Sequence, residues 1–512
     1  MAVGGFGRGE LAPYSDLDVV LVHDDDNGGV DGVAGRVWYP LWDSGLVVDH
    51  SVRALSQATA AARRDPRVAL GLLDARHVAG DPSVTLRLRA DLLAHWRRSA
   101  RQQLPALREL TRERGVRLGE LAHAAVPDLK ESAGGLRDAT VLKALVATWL
   151  VDVPHVDLER SRLALLDVRD ALHEVTGRST DRVAPELWPD LAERLSLPDA
   201  DAAQWHVRAI GRRLTHLSRL TWRRVEAVLA GPIGPRRVPE LERVADGIAV
   251  SRGEVALDRG ARPSREPLLL LRAAAEAAER CLALAPATAA RLVREGAPVP
   301  EPWAPEARQL LTRLLAAGPG LLPVWETLDE TGALDTVLPE WERVRLLPHA
   351  SVVHRFTVDR HLVETCIEAS RLTRTVPRVD VLMVSALLHD LGKGSDPHQP
   401  ADHSVAGEPL AGSVAARMGF SDREQSLVRR LVRRHLLLPE VATARDLDDP
   451  ATISHVADRV GDVETLDLLE VLTEADARAT ASQAWSSWRA RLVADLAGRV
   501  RRALRDAATL DG

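Results

Sequence analysis

The chain has 512 residues, of which 46% are hydrophobic and 27% charged, so the composition excludes a largely disordered protein. Its 67 basic and 73 acidic residues nearly balance, which argues against nucleic acid as the main ligand. Two cysteines exclude a disulfide scaffold and a cysteine-based zinc site. The sequence contains neither a long apolar run nor a signal-peptide pattern, and we expect a cytoplasmic protein without a membrane span.

The predicted elements change character along the chain. Only residues 1–60 have strand patterns, with candidates at 17–22 and 45–52. From about residue 54 onward, apolar residues recur at helical spacing, with breaks at 231–235 and 297–300 and near residue 348. We therefore predict a mainly α protein with a small α/β head.

The head carries a first cluster of chemically suggestive residues. Gly4 and Gly5 allow the backbone to approach phosphate oxygens closely. Asp16 and Asp18 are two positions apart at the start of a strand, so both carboxylates project from one face. Two such carboxylates can hold the two divalent cations used in phosphoryl transfer, and Ser15 would contact phosphate beside them.

Asp49, on the second predicted strand, is the candidate third carboxylate of this site. A lone Gly-Gly pair or a lone Asp-x-Asp is more often simple turn chemistry. The combination of Gly-Gly with Ser-Asp-x-Asp before a buried strand is much more specific for a phosphate and metal site.

A second cluster lies in the helical body. His389 and Asp390 are expected at the end of an apolar helix over 381–391, and His361 and Asp476 come from two other helices. Imidazole and carboxylate groups are suitable ligands for divalent metals. A metal held in this way polarises a phosphoryl oxygen and activates water.

Both clusters resemble the family of bifunctional protein-PII uridylyltransferase/uridylyl-removing enzymes. That family combines a DNA polymerase β-like nucleotidyltransferase head with an HD phosphohydrolase domain. The resemblance covers nearly the whole chain and is carried by the segments GGFGRGELAPYSDLDVVLV, LWDSGLVVDHSVR, PDLKESAGGLRD, VRDALHEVTGR, HRFTVDRH, LLHDLGKG, DHS and LTEADARAT.

The resemblance implies specific roles for residues of the two clusters. In the head, the expected nucleotide-binding residues are Gly4, Gly5, Arg8 and Ser15, the metal ligands are Asp16 and Asp18, and Asp49 is a base or third ligand. In the HD domain, the expected metal ligands are His361, His389, Asp390 and Asp476, with His403 and His435 serving a second metal or the phosphate and Lys393 serving the phosphate.

Some residues near these motifs have less definite roles. Lys130 is either a phosphate or substrate contact or part of a loop that packs the helical body onto the head, and the neighbouring Gly134-Gly135 pair is expected to form an exposed turn. His354 has a capping or structural role as an alternative to a functional one, whereas His349 and His398 are expected in surface loops.

The resemblance also implies a domain organisation. We expect a nucleotidyltransferase head over 1–90 that is short at its N-terminus, a helical associated domain over 91–235, a helical spacer over 236–340 and an HD domain over 341–512. The C-terminal ACT domains of the family are expected to be lacking.

The implied function is transfer of UMP or AMP to a tyrosine of a PII-type protein and hydrolytic removal of that nucleotide. The implied cofactors are Mg²⁺ in the head and Mn²⁺ or another divalent metal in the HD domain, with UTP or ATP as co-substrate. Two alternatives stay open at this point. One is a phosphohydrolase in which only the HD domain is active, and the other is a non-catalytic regulator that binds a PII-type protein.

Overall fold

The computed structural model describes residues 1–24, 30–231, 241–348, 356–394, 402–481 and 483–510. The chain divides into two compact units, Met1–Gly234 (unit 1) and Pro235–Gly512 (unit 2). Each unit has its own core of buried aliphatic residues and tryptophans. In the described parts of the chain, no helix has both the length and the apolar character that a membrane crossing requires.

Unit 1 begins with a small sheet. Strand β1 (Leu17–His23), whose valines favour extended backbone, pairs in parallel with β2 (Val48–Ala54). In the register of this pair, Asp18 lies opposite Asp49. The sheet therefore places two of the predicted acidic residues side by side on neighbouring strands.

Helices make up most of unit 1. The longest, α5, has 37 residues and packs against the shorter helices α3, α4 and α6. In chain order the helices of unit 1 are α1 (Gly4–Arg8), α2 (Val30–Asp43), α3 (Leu55–Arg64), α4 (Pro66–Leu73), α5 (Pro82–Leu118), α6 (Leu136–Ala147), α7 (His155–Thr176), α8 (Trp188–Arg194) and α9 (Ala200–Ala230).

Unit 2 begins with a four-stranded sheet that the sequence did not predict. Its strands, in the order in which they pair, are β3 (Glu242–Ala245), β4 (Ile248–Ser251), β5 (Glu254–Leu257) and β6 (Ala283–Leu284). The expectation of a purely helical spacer over 236–340, and of strands only within residues 1–60, is therefore wrong. No strand here exceeds four residues, which is too short for a clear period-two pattern.

The rest of unit 2 is helical. Helix α15 is buried throughout residues 381–388 and packs against α12, α14, α16, α17 and α20, so it is the central helix of this unit. The helices of unit 2 are α10 (Leu269–Glu279), α11 (Pro286–Glu295), α12 (Pro305–Leu315), α13 (Leu321–Glu330), α14 (Val358–Ser370), α15 (Val379–Leu388), α16 (His403–Arg417), α17 (Asp422–Arg434), α18 (Leu437–Ala444), α19 (Pro450–Val460), α20 (Val463–Thr480) and α21 (Ser487–Leu510).

The predicted fold class, a helical body with a small α/β head, is confirmed. The finer division into four domains, with boundaries after residues 90, 235 and 340, stays a prediction. The apolar helix expected over 381–391 ends earlier, at Leu388, and a short 3₁₀ turn over Leu391–Gly394 follows it.

Candidate active sites of the two units

The three acidic residues predicted in the head lie near one another in unit 1. Asp18 is partly buried on β1, whereas Asp16 and Asp49 are exposed. Burial and the negative charges of Asp16 and Asp49 raise the pKa of Asp18 above its ordinary value. Such mutual repulsion is relieved when a cation binds. Within the described residues the three do not form a tight three-ligand group, so Asp49 as a third ligand stays a prediction.

Gly4 lies directly beside the carboxylate of Asp18. Its backbone is left-handed, with φ at +56°, and a β-carbon placed on it would lie 2.5 Å from Oδ2 of Asp18. Only glycine leaves room for the carboxylate at this position. The first glycine of the predicted phosphate-binding pair is therefore also required for the placement of a predicted metal ligand.

This contact leads to a testable expectation for Gly4→Ala. The added methyl group should displace the Asp18 carboxylate and weaken binding of a nucleoside triphosphate with Mg²⁺, the predicted ligand, by at least about tenfold. Left-handed strain adds roughly 1–2 kcal/mol of destabilisation. Calorimetric titration measures the affinity, and denaturant unfolding measures the stability.

Gly9→Ala is the matched control for this variant. Gly9 is also left-handed, with φ at +73°, but a β-carbon there would meet nothing within 4 Å. Gly9→Ala should therefore show a similar loss of stability and near-normal binding. Equal losses of affinity in the two variants would contradict the importance of the Gly4–Asp18 contact.

Arg8, a predicted nucleotide-binding residue, is held by two carboxylates. Its Nε lies 2.6 Å from Oε2 of Glu10, and its Nη1 lies 3.0 Å from Oδ2 of Asp74. The second oxygen of Glu10 lies 2.5 Å from Nη1 of Arg162 on α7. The charge of Arg8 is thus already neutralised by protein groups that tie the glycine-rich turn to α7.

His173, which the sequence reasoning did not single out, supports the segment before β1. The backbone N–H of Tyr14 donates to Nδ1 of His173 on α7, over 3.3 Å. Burial and the nearby Arg169 lower the pKa of His173, which favours the neutral ring that can accept this bond. The next residue, Ser15, accepts a hydrogen bond from the N–H of Ala12 at 3.2 Å. The sequence did contain a signal for His173, because this residue lies in the family-like segment VRDALHEVTGR.

The segment PDLKESAGGLRD forms a folded loop before α6. Gly134 and Gly135 are buried, so the expectation of an exposed turn there is wrong. Gly134 is left-handed, with φ at +84°, and a β-carbon on it would collide with α9 at the Gly211 carbonyl and, 2.5 Å away, at the Thr215 hydroxyl. Gly134 therefore permits close packing against α9, whereas Gly135 permits a tight turn within the loop, where a β-carbon would meet the carbonyl of Leu129.

Unit 1 contains a cavity of about 780 Å³ beside the glycine-rich turn. Its volume is within the range of small-molecule sites. Its wall includes the predicted residues Gly4, Gly5, Arg8, Ser15, Asp16, Asp18 and Lys130.

The predicted metal ligands of unit 2 fall into two clusters. Group 1 consists of His361 on α14, His389 directly after α15 and Asp476 on α20. Nε2 of His361 lies 2.9 Å from Oδ1 of Asp476 and 3.3 Å from Nε2 of His389. The three ligand atoms lie within 4.8 Å of one another.

Group 2 consists of Asp390, His403 and His435. His403 is the first residue of α16, and His435 directly follows α17. The Nε2 atoms of His403 and His435 lie 3.3 and 3.6 Å from Oδ1 of Asp390 and 3.3 Å from each other. The structure therefore places both additional histidines beside the predicted ligands.

Asp390 links the two groups. Its Oδ1 faces group 2, whereas its Oδ2 lies 3.6 Å from Nε2 of His389 and 3.8 Å from Nε2 of His361. The Nζ atom of Lys393, the predicted phosphate contact, lies 2.5 Å from the same Oδ2. One buried carboxylate thus presents one oxygen to each group, an arrangement suited to two neighbouring cations.

Backbone carbonyl groups orient two of the imidazole rings. Nδ1 of His389 donates to the Ala386 carbonyl at 2.9 Å, and Nδ1 of His435 donates to the Val432 carbonyl at 2.8 Å. Because a carbonyl oxygen only accepts, each ring keeps an Nε2 lone pair directed into the cluster. Four imidazoles and two carboxylates converge here, and this donor set fits divalent metals.

The charge states of the two carboxylates and of His435 suit metal ligands. Burial opposes the charged form of Asp390, but the nearby His389, His403 and Lys393 outweigh it and hold the pKa of Asp390 well below its usual range. Burial likewise opposes the charged form of Asp476, but the adjacent His361 and His389 hold the pKa of Asp476 well below its usual range. Burial and the nearby His389 lower the pKa of His435 to about 4. Ionised carboxylates and a neutral imidazole are the forms that bind metal.

Three histidines considered in the sequence are not part of this description. His349, His354 and His398 lie outside the described residues. Their predicted roles as loop, capping or structural residues stay predictions.

Comparison with known proteins bears on both units. A family model described as HD domain matches residues 358–461, which include the groups of unit 2 except for Asp476. The curated proteins to which the chain is similar are named bifunctional uridylyltransferase/uridylyl-removing enzyme. The protein of Streptomyces coelicolor is 50% identical over 98% of the chain and 61% of its own length. The protein of Mycobacterium tuberculosis (strain H37Rv) is 41% identical over 98% and 63%.

The relative from Corynebacterium glutamicum is 34% identical over 95% of the chain and 69% of its own length. The chain thus spans between 61 and 69% of the length of these curated relatives. The similarity covers both units, so it concerns the cavity of unit 1 as well as the histidine clusters of unit 2.

Proposed function

The chain belongs to the bifunctional uridylyltransferase/uridylyl-removing enzyme family, and we propose that unit 1 attaches a nucleotide to a PII-type protein and unit 2 removes it. The observation that carries this proposal is the presence of two centres with different chemistry in one chain. Unit 1 has carboxylates and a glycine turn at a cavity, and unit 2 has a buried cluster of histidines and aspartates. The names of the relatives favour a uridylyl over an adenylyl group.

In unit 1, the proposed reaction is attack by a tyrosine oxygen of the PII-type protein on the α-phosphorus of UTP. The bond from that phosphorus to the bridging oxygen of the β-phosphate breaks, and pyrophosphate leaves. Asp49 would take the proton of the tyrosine hydroxyl. Gly4, Gly5 and Ser15 would contact the phosphate groups through backbone N–H groups and the hydroxyl.

In unit 2, the proposed reaction is attack by water on the phosphorus of the nucleotidyl-tyrosine. The bond between phosphorus and the tyrosine oxygen breaks, which releases UMP and restores the tyrosine. Lys393, three residues after Asp390, would bind a phosphate oxygen. The burial of His361 and His389 would limit the access of bulk water to the reacting phosphorus.

Both reactions are proposed to require divalent metals held by the residues described above. Asp16 and Asp18 would hold Mg²⁺ in unit 1, and groups 1 and 2 would hold Mn²⁺ or another divalent metal in unit 2. Such ions neutralise phosphate charge and activate water. The carboxylates and imidazoles would fix the positions of those ions.

The test is the intact mass of a cognate PII-type protein after incubation with this chain, Mg²⁺ and either UTP or ATP. We expect a gain of one uridylyl group with UTP. The modified protein, returned to the chain with Mn²⁺ and no UTP, should regain its original mass. A gain only with ATP would correct the nucleotide while leaving the reaction class intact.

One structural observation favours the alternative in which only unit 2 is active. Among the described residues, the two tight three-ligand groups both lie in unit 2. If no mass is gained with either nucleotide, while pre-modified PII-type protein is still hydrolysed, this alternative replaces the two-reaction proposal. If neither reaction occurs while the chain still binds the PII-type protein, the alternative of a non-catalytic regulator replaces both.

A further inference from the structure

The cavity of unit 1 is lined by an excess of cationic side chains, but most of them are already engaged. Six arginines contribute to its wall, and five of them form an ion pair with a carboxylate: Arg8, Arg67, Arg114, Arg137 and Arg169. An arginine whose charge is neutralised in this way has less attraction left for an anionic ligand. The cavity-lining cations without an ion pair are therefore the better candidates for binding an anionic ligand.

Within the described parts of the chain, Lys130 and Arg117 are the cavity-lining cations without a carboxylate at ion-pair distance. They differ in position. Arg117 is exposed in the last turn of α5, whereas Lys130 is partly buried in the loop before α6. Lys130 is also one of only three lysines in a chain in which arginine is the usual cation.

Lys130 lies close to the predicted metal ligands. Lys130 lines the same cavity as Ser15, Asp16 and Asp18. The cavity therefore brings the ammonium group, the predicted phosphate contact and the predicted metal ligands to one site.

The backbone at Lys130 is held on several sides. Oδ1 of Asp128 accepts the N–H groups of Lys130 and Glu131, at 3.0 and 2.7 Å. The carbonyl of Lys130 accepts the N–H of Arg137 at 3.0 Å. A β-carbon on Gly135 would lie 2.9 Å from that same carbonyl oxygen, so the glycine permits the close turn. The ammonium is therefore carried by a preorganised backbone rather than by a free loop.

We infer that Lys130 binds the phosphate groups of the nucleoside triphosphate in unit 1. This role rests on the nucleotidyltransferase function proposed for unit 1. A compact ammonium group with three donors can keep its hydrogen bonds to phosphate oxygens as the substrate becomes product. Because Lys130 has no carboxylate at ion-pair distance, no existing ion pair has to break before it binds phosphate. Lys130, rather than the doubly paired Arg8, is the cation available to the ligand.

The test uses the full chain and calorimetric titration with two probes, UTP and inorganic tripolyphosphate, both with Mg²⁺. Lys130→Gln and Lys130→Met should each weaken binding of both probes by about 10- to 100-fold, because a hydrogen bond between charged groups is lost. Lys130→Arg keeps the charge and should stay within about fivefold of the unchanged chain.

Lys143→Met is the matched control. Lys143 lies on α6, and its Nζ is 3.5 Å from Oε1 of Glu159. It is not among the residues that line the cavity, so its replacement should leave both affinities unchanged. Thermal unfolding of each variant shows that any loss of affinity occurs in a folded chain.

The outcomes separate this inference from the function on which it rests. If the unchanged chain binds UTP and both neutral variants bind it equally well, the role of Lys130 is wrong and the proposed function stands. If the unchanged chain does not bind UTP, the transferase function of unit 1 fails and the role of Lys130 falls with it. If UTP binding weakens but tripolyphosphate binding does not, Lys130 contacts the nucleoside rather than the phosphates, which also overturns the inference.

Discussion

Asp390→Asn should reduce hydrolysis of the nucleotidyl-tyrosine by about 10³-fold or more and lower the number of bound divalent ions from two to at most one. Each oxygen of Asp390 faces a different ligand group, so a single substitution weakens both. Stabilisation of phosphoryl charge by a metal amounts to several kcal/mol, and each 1.36 kcal/mol is a factor of ten in rate. Single-turnover hydrolysis and metal analysis of the purified chain measure the two effects.

Asp495→Asn is the control for this variant. Asp495 is an exposed carboxylate on α21 that pairs with Arg499, outside both ligand groups. The Asp495→Asn variant should retain two bound divalent ions and the full rate of hydrolysis. If Asp390→Asn keeps two ions and an unchanged rate, the carboxylate does not serve both groups, and the assignment of unit 2 as a two-metal centre fails.

Asp18→Asn should have an effect of similar size on the opposite reaction. Transfer of the nucleotide should fall by about 10³-fold, because the substitution removes the negative charge that would hold Mg²⁺ against the triphosphate. Hydrolysis by unit 2 should remain unchanged, since its ligands come entirely from residues 361–476. Initial rates of both reactions, measured with the same preparation, test this independence.

Asp91→Asn provides the comparison for Asp18→Asn. Asp91 is exposed on α5 and does not line the cavity. Transfer at the normal rate by Asp18→Asn would show that the metal site of unit 1 lies elsewhere. Parallel loss of transfer in both aspartate variants would instead indicate a general sensitivity of unit 1 to loss of charge.

The sequence predicted best those features whose chemistry is local. The apolar, β-branched run after Asp16 indicated β1, which begins at Leu17. The apolar residues before His389 indicated a buried helix, and α15 ends one residue before that histidine. In both cases the functional side chain directly adjoins a buried element, so a pattern of a few residues determined its placement.

Other features depend on contacts between distant segments, which a single sequence does not display. The burial of Gly134 follows from packing against Gly211 and Thr215 of α9, more than 70 residues later. The engagement of Arg8 follows from Asp74, which is remote in sequence. The strands β3 to β5 are so short that their pairing, rather than their own periodicity, defines them. These are the points at which the predictions from sequence were wrong or incomplete.

The ion pairs that tie the glycine-rich turn to α7 have a consequence for the effect of salt. The side chains of Arg8, Glu10 and Arg162 are only 18, 11 and 12% exposed, so dissolved ions screen their attraction weakly. The position of the turn should therefore be almost independent of ionic strength. Attraction between an open cavity and a polyanionic ligand is screened much more strongly. Raising the salt concentration should therefore leave the geometry of this site unchanged while weakening its affinity for a polyanionic ligand.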